Sequence, residues 1–312
     1  MFDVITIGEP MVVFIAEELG SLKDVNRFSK GLAGAELNVS IGLSRLGNNV
    51  SYVTQLGEDP FGEFIYDCID KEININKEYI SKTSNFTTGF YIKSKVLNGD
   101  PSIFYYRKNS AAANMDLRLV ERVDLDSHRH LHVTGITPPL SKNMLDNVFF
   151  LIKKAKEKGL SISFDPNLRL QLWPSRVDMI ATLNYIASFA DYIIPNLEEG
   201  KILTGKASPE EIADFYLEKG VKNVVVKLGE KGSYVKNDII SKYVKGFVID
   251  KVVDTVGAGD AFAAGVISGV LKGKSIVEAA TIGNAMGAIA VMHKGDNEGL
   301  PTLEELEAFI GK

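Results

Sequence analysis

Short apolar runs alternate with longer amphipathic stretches along most of the chain. Apolar runs of this length are typical of buried strands, and the longer periodic stretches are typical of helices. Their alternation predicts an α/β fold with a mostly parallel central sheet and helices on both faces. The predicted central strands are residues 4–7, 50–53, 130–133, 161–164, 192–194 and 224–227, and the predicted helices are residues 35–46, 61–71, 142–158, 209–219, 258–271 and 276–292.

Two stretches interrupt this alternation, at about residues 12–32 and 87–110, and both are rich in β-branched and aromatic residues. The second contains Asn98-Gly99-Asp100-Pro101, a strong hairpin signal. We expect antiparallel strands outside the main sheet that form a small lid. Because the chain shows no repeat, low-complexity tract or linker, we predict one domain over residues 1–312 rather than two.

Charge and composition exclude several classes of partner. The formal net charge is −5 and no dense Lys/Arg block occurs, which argues against binding to nucleic acid. No apolar stretch approaches the roughly 20 residues that cross a bilayer, and the N-terminal apolar run is too short for a secretory signal. The single cysteine, Cys68, cannot form an internal disulfide. We therefore expect a cytoplasmic protein with no membrane or nucleic-acid partner.

The segment 254–260 (DTVGAGD) carries the clearest candidate chemistry. Gly257, Ala258 and Gly259 have little or no side chain, so backbone N–H groups at the start of the following helix can approach an anion. Asp260 then falls in the first helical turn, where it could accept a proton from an attacking hydroxyl. This pattern predicts a site for transfer of a γ-phosphoryl group.

From these residues alone, a tight turn in which Asp260 merely caps the helix explains the pattern equally well. A dinucleotide fingerprint fits poorly, because the spacing fails G-x-G-x-x-G and the segment lies near the C-terminus. A P-loop is also excluded, since no G-x-x-x-x-G-K-S/T run occurs.

Residues 254–267 resemble the C-terminal signature of the ribokinase-like (PfkB) carbohydrate kinases. Residues 33–40 (AGAELNVS), with Gly47 and Gly57, resemble the N-terminal region of that family, although Glu36 and an extra residue before Asn38 depart from its general pattern. The resemblance implies a ribokinase-like three-layer α/β/α fold and ATP-dependent phosphorylation of a sugar hydroxyl, with ATP as co-substrate and magnesium. In some members this neighbourhood also holds a monovalent cation.

The resemblance implies further nucleotide-site roles. Asn196 and Glu199 match the family's Asn-x-x-Glu motif, which orders magnesium and its waters, although alone the pair would suggest a helix start capped by Asn196. Asp254 and Thr255 would orient the anion-binding turn. Alone, Lys227 would suggest a surface lysine. The implied ATP-binding residues are Asn196, Lys227, Gly229, Gly232, Gly257, Gly259 and Asn284.

Segments 28–36, 105–112, 132–136 and 295–299 resemble the branch of the family that phosphorylates the sugar acid 2-keto-3-deoxygluconate. Arginine suits such a substrate because its planar guanidinium can pair with a carboxylate through two hydrogen bonds. The implied substrate-binding residues are Gly34, Asn38, Tyr91, Tyr105, Arg107, Arg169 and Asp260.

Two alternatives stay open. Residues 165–173 also resemble fructokinases of the same family, and a kinase fold can serve as a non-catalytic sugar or nucleotide sensor. Because the outer face of a small lid sheet is often covered by a partner chain, we also expect a homo-oligomer.

Overall fold

The computed structural model describes residues 2–97 and 101–311, so the predicted turn at Asn98-Gly99-Asp100 lies outside the described residues. Within these ranges the chain forms two β-sheets. The strands of the main sheet are β1 (Val4–Ile7), β4 (Val50–Gly57), β5 (Ile75–Asn76), β6 (Ile80–Thr83), β9 (His130–Thr134), β10 (Ser161–Asp165), β11 (Tyr192–Ile193), β12 (Asn223–Lys227), β13 (Gly232–Lys236) and β14 (Ser241–Lys245), and those of the second sheet are β2 (Met11–Leu19), β3 (Phe28–Ala33), β7 (Phe90–Lys95) and β8 (Ile103–Tyr106).

The main sheet has the order β14-β13-β12-β11-β10-β9-β1-β4-β5, with β6 also paired to β4. The pairs from β12 to β5 are parallel, whereas β13 and β14 are antiparallel additions at one edge. The predicted mostly parallel sheet is therefore confirmed, and each predicted strand occurs with small shifts at its ends. β5, β6, β13 and β14 were not predicted.

Helices cover both faces of this sheet. Each of the six predicted helices occurs, whereas α3, α5, α6 and α10 were not predicted. Their bounds are α1 (Ala35–Arg45), α2 (Pro60–Asp70), α3 (Leu117–Glu121), α4 (Lys142–Glu157), α5 (Arg176–Ala187), α6 (Leu197–Thr204), α7 (Pro209–Glu218), α8 (Ala258–Leu271), α9 (Ile276–Ala290) and α10 (Leu303–Ile310).

Two buried cores lie between the main sheet and the helices on its two faces. Val4 of β1 packs in a core with α1, α8 and α9, whereas its neighbour Ile5 packs in a second core with α4, α5 and α7. Successive side chains of a strand point to opposite faces, so a strand that is buried on both faces must be apolar along its whole length. This is the predicted arrangement of helices on both faces.

The second sheet, called here the lid sheet, is formed by β2, β3, β7 and β8. The predicted antiparallel strands outside the main sheet occur in the pairs β2–β3 and β7–β8, and β2 additionally pairs with β7 in parallel. β2 and β7 are the first strands of the two antiparallel pairs. They run in the same direction, so they pair in parallel.

The outer face of the lid sheet exposes Phe104 and Tyr106, each 55% accessible. This exposure is consistent with a partner chain that covers the outer face of the lid sheet. The homo-oligomer and the single domain over residues 1–312 stay predictions. Among the helices that the structure describes, none has the length and apolar character to cross a membrane.

Candidate active site

A cavity of about 1670 Å³ lies between the lid sheet and the carboxyl ends of β10, β11 and β12. Ligand sites commonly occupy roughly 300–1,000 Å³, so this volume can hold two small molecules together. Of the residues predicted to bind substrate or nucleotide, Arg107 alone does not line the cavity. The predicted residues that line it are Gly34, Asn38, Tyr91, Tyr105, Arg169, Asn196, Glu199, Lys227, Gly229, Gly232, Gly257, Ala258, Gly259, Asp260 and Asn284.

The start of α8 forms one wall of the cavity. Gly257 precedes the helix with φ 77°, and a Cβ atom there would lie 2.1 Å from the backbone oxygen of Asp296, so both the conformation and the close approach require glycine. No side chain caps α8, which leaves its first N–H groups and its positive dipole end free for an anion. The alternative in which Asp260 caps the helix is therefore excluded.

Asp260 is only 9% exposed and both of its carboxylate oxygens accept a hydrogen bond from an amide. Asn38 Nδ2 donates to Oδ2 at 2.8 Å, and Asn167 Nδ2 donates to Oδ1 at 3.2 Å. Burial raises the pKa of Asp260 to about 6, against the opposing effects of the Asn38 hydrogen bond and the charge of Lys227. A carboxylate with such a pKa is deprotonated at neutral pH and can accept a proton.

Lys227, at the end of β12, is not a surface lysine, because its side chain is only 13% exposed and its Nζ lies 2.7 Å from Asp165 Oδ2. Burial alone would lower the pKa of Lys227, but the charges of Asp165 and Glu199 outweigh this effect and raise it. A Cβ atom at Gly259 would lie 3.5 Å from Nζ. A fixed positive charge therefore stands beside the anion-binding turn.

Asn196 and Glu199 form a capping box at the start of α6. Asn196 Oδ1 accepts from the Glu199 N–H, while Glu199 Oε2 accepts from the Asn196 N–H and Oε1 accepts from the Leu168 N–H. The helix-start interpretation of this pair is thus confirmed. A carboxylate that accepts two hydrogen bonds keeps further lone pairs for a metal-bound water, so the pair fits indirect magnesium binding, which stays a prediction.

The described part of the chain holds no cluster of three or more His, Cys, Asp or Glu side chains that could hold a metal ion.

Arg107 lies under the lid sheet in a buried ion pair. Its Nε donates to Glu9 Oε2 at 2.6 Å, and Ser110 donates to the other oxygen of Glu9. Arg169, in contrast, faces the cavity and donates from Nη1 to the backbone oxygen of Leu168. Of the two arginines predicted to meet a substrate carboxylate, only Arg169 is in the cavity in this conformation.

Among the cavity residues that sequence reasoning missed are Lys93, Asp165, Asn167 and Asp296. Asp165 and Asn167 follow a buried strand, and polar residues at that position were a usable signal. Lys93 gave no local signal, since its role depends on a long-range contact, and Asp296 was noted only as part of segment 295–299, without a role. Asp296 is buried, which raises its pKa to about 7, and its Oδ2 lies 3.4 Å from the hydroxyl of Tyr91.

Comparison with known proteins agrees with this geometry. The model of the pfkB family carbohydrate kinases matches residues 1–303. The chain belongs to this family. A curated relative, the 2-dehydro-3-deoxygluconokinase of Bacillus subtilis (strain 168), is 46% identical over 309 residues, which cover 99% of this chain and 95% of the relative.

Two solved structures with full-length similarity extend the comparison. The crystal structure of a PfkB protein from Polaromonas sp. JS666 superposes with a TM-score of 0.91 at 41% identity, covering 99% of this chain and 100% of the other. A fructokinase from Vibrio cholerae O395, solved with fructose, ADP and calcium ion, gives a TM-score of 0.87 at 28% identity, covering 99% of each chain. The ribokinase-like fold expected from the sequence is confirmed.

The pKa of Asp260 generates a first prediction. If Asp260 is the base, kcat/KM for the best sugar substrate falls as pH decreases through about 6, because protonated Asp260 cannot accept a proton. Asn38→Ala removes a hydrogen bond that lowers this pKa, so the acidic limb of the profile moves to higher pH. Asn74→Ala serves as the control, because the Asn74 side-chain amide donates to the Ser44 backbone oxygen and not to Asp260. An acidic limb that does not respond to Asn38→Ala would contradict the assignment.

The Glu9–Arg107 pair generates a second prediction. Arg107→Met leaves the Glu9 carboxylate buried without its cation and lowers the free energy of unfolding by about 3–5 kcal/mol, measured by denaturant titration. The double variant with Glu9→Gln regains most of this loss. Arg169→Met, at a partly exposed position, changes stability by less than about 1 kcal/mol. Equal stability of Arg107→Met and the parent chain would rule out the pair as a stabilising contact.

Proposed function

We propose that this chain catalyses ATP-dependent phosphorylation of 2-keto-3-deoxygluconate at its terminal hydroxyl, giving 2-keto-3-deoxy-6-phosphogluconate. The observation that carries the proposal is Asp260, an ionisable buried carboxylate beside the uncapped N-terminus of α8 in a carbohydrate kinase cavity. The substrate is supported by the 46% identical relative named 2-dehydro-3-deoxygluconokinase, since 2-dehydro and 2-keto denote the same compound.

In this mechanism Asp260 accepts the proton of the terminal hydroxyl while the hydroxyl oxygen forms a bond to the γ-phosphorus of ATP. The bond from that phosphorus to the β–γ bridging oxygen breaks, and ADP leaves. Asn38 and Asn167 hold the carboxylate in place, and the N–H groups at the start of α8 stabilise the developing negative charge. Lys227 adds a fixed positive charge on the same side.

Magnesium bound with ATP would supply further charge neutralisation, and Asn196 and Glu199 are the residues that would hold it through water. The lid sheet would exclude water from the cavity.

The nucleotide is assigned to the part of the cavity near β12, β13 and α9. Gly229 and Gly232 both have positive φ, at 62° and 98°. Nothing lies within 4 Å of a virtual Cβ at Gly229, so the backbone there is open to a ligand, whereas Gly232 packs against the Val244 backbone oxygen. Asn284 Nδ2 donates to the backbone oxygens of Val244 and Lys245, which fixes the wall formed by α9 and β14. We infer that ATP lies along this wall with its phosphates toward Gly257.

The sugar acid is assigned to the lid side of the cavity. Gly34 lines the cavity at the start of α1, and with φ 133° and its virtual Cβ 2.8 Å from the Glu9 backbone oxygen, this position requires glycine. Tyr91 and Tyr105, whose rings lie 5.2 Å apart, present hydroxyls from the lid sheet. Arg169 is the cation available to the substrate carboxylate, and Arg107 would join it only if its pair with Glu9 opened.

Fructose is the second candidate substrate, and one observation favours it. Because Arg107 is held by Glu9, one of the two expected carboxylate partners is absent from the cavity, and a neutral keto sugar would not need it.

A substrate screen tests the proposal. ATP consumption is measured with 2-keto-3-deoxygluconate, fructose, ribose and gluconate, and kcat/KM should be highest for the first by at least about tenfold, a difference of ~1.4 kcal/mol. Arg169→Met should raise KM for the sugar acid and leave KM for fructose within about twofold, because fructose has no carboxylate. Equal or faster turnover of fructose would favour the second candidate, and no sugar-dependent ATP consumption would favour a sensor.

Replacing the base tests the mechanism. Asp260→Asn should lower kcat by about 10²–10⁴-fold, because the amide cannot accept the proton. Calorimetric affinities for ATP and sugar should change by less than about tenfold, since the side-chain shape is kept. Asp146→Asn, at an exposed position on α4, is the matched control. Near-normal turnover of Asp260→Asn would refute the role of Asp260 as base.

A further inference from the structure

Strand β7 of the lid sheet reaches the catalytic loops through two polar side chains on one face. Lys93 Nζ lies 3.2 Å from Asp254 Oδ2 and 3.5 Å from Oδ1, and Tyr91 is the residue whose hydroxyl lies near Asp296. Residues two apart on a strand share a face, so both side chains point toward the cavity. The Lys93 side chain is 11% exposed and that of Asp254 is 18% exposed, which shields the pair from solvent.

Asp254 in turn organises the anion-binding turn. Its Oδ1 accepts a hydrogen bond from the Val256 N–H at 3.2 Å, immediately before Gly257. On the side away from the lid, the Val253 N–H donates to the Val291 backbone oxygen at 2.7 Å. The turn is therefore fixed by backbone contacts on one side and by the charge of Lys93 on the other.

The charge balance of this region also depends on Lys93. Asp254, Asp296 and Asp260 lie close together, and a phosphate in the turn would add more negative charge. Burial and the nearby charge of Asp260 raise the pKa of Asp296, while Lys93 opposes that rise. Without Lys93, the Asp254 carboxylate would be repelled by the carboxylates of Asp260 and Asp296 and would rotate away from them. Its hydrogen bond to the Val256 N–H would then weaken.

We propose that Lys93 is a positioning residue for phosphoryl transfer, which acts from the lid sheet by holding Asp254 and thereby the anion-binding turn. The inference rests on the proposed kinase function but not on the identity of the sugar. Lys93 has no contact with the reacting atoms in this role. It makes the geometry of the turn depend on the position of the lid sheet, so the anion site is complete only when the lid sheet lies over the cavity.

The kinetic test compares Lys93→Met with the parent chain on the best substrate of the screen. We expect kcat to fall by about 10–100-fold with KM for ATP changed less than about threefold, because a misplaced turn affects mainly the transition state. Lys93→Arg keeps the charge and should recover most of the rate. Lys95→Met is the matched control, since Lys95 Nζ donates to the exposed Glu17 backbone oxygen.

A double-mutant cycle shows whether Lys93 acts through Asp254. In an Asp254→Asn background, Lys93→Met should change kcat by less than about twofold, because the ion pair is already lost. An equal loss in both backgrounds would overturn the inference. So would a rise in sugar KM with unchanged kcat, which would make Lys93 a direct substrate contact.

Hydrogen exchange tests the same inference without turnover. Amide exchange in residues 254–260 should become faster in Lys93→Met and stay unchanged in Lys95→Met, because Asp254 no longer holds the Val256 N–H. Unchanged exchange in Lys93→Met would overturn the inference even if the screen identified a different sugar. Failure of the proposed function would instead appear as an inactive parent chain whose exchange still responds to Lys93.

Discussion

The arrangement of the site depends on one buried carboxylate, Asp260, which needs hydrogen-bond donors from neighbouring elements. Burial disfavours its charged form, and the Asn38 amide and Lys227 limit that effect, so its pKa rises only to about 6. The Asn38 amide comes from α1 and donates to Oδ2, and the Asn167 amide comes from the loop after β10 and donates to Oδ1, so two elements far from Asp260 in the sequence hold its carboxylate. The packing of α1 on α8 must therefore be close, and Gly42 allows it, because a Cβ there would lie 2.9 Å from that of Ala264.

Two lysines that line the cavity pair with carboxylates of other elements. Lys227 of β12 pairs with Asp165 of β10, and Lys93 of the lid sheet pairs with Asp254 before α8. Buried charges are stable only with such partners, so each pair also fixes the relative position of two elements. Arg107 follows the same rule with Glu9, which explains why an arginine near the cavity does not line it.

The sequence predicted the parts of this structure that depend on local pattern. The parallel sheet, its helices and the anion-binding turn follow from apolar periodicity and from the contiguous run at residues 254–260. Lys93 could not be assigned in this way, because its partner Asp254 is distant in sequence. The parallel pairing of β2 and β7 was missed for the same reason, since hairpin signals describe neighbouring strands only.

The central claim is that Asp260 takes the proton from the substrate hydroxyl. A crystal structure with 2-keto-3-deoxygluconate and a non-hydrolysable ATP analogue tests it most directly. The account predicts the terminal hydroxyl oxygen at about 2.6–3.2 Å from an Asp260 carboxylate oxygen, with the γ-phosphate analogue against the N–H groups at the start of α8. A terminal hydroxyl bound to Asp165 or Asp296 instead, with Asp260 bonded only to its two amides, would contradict it.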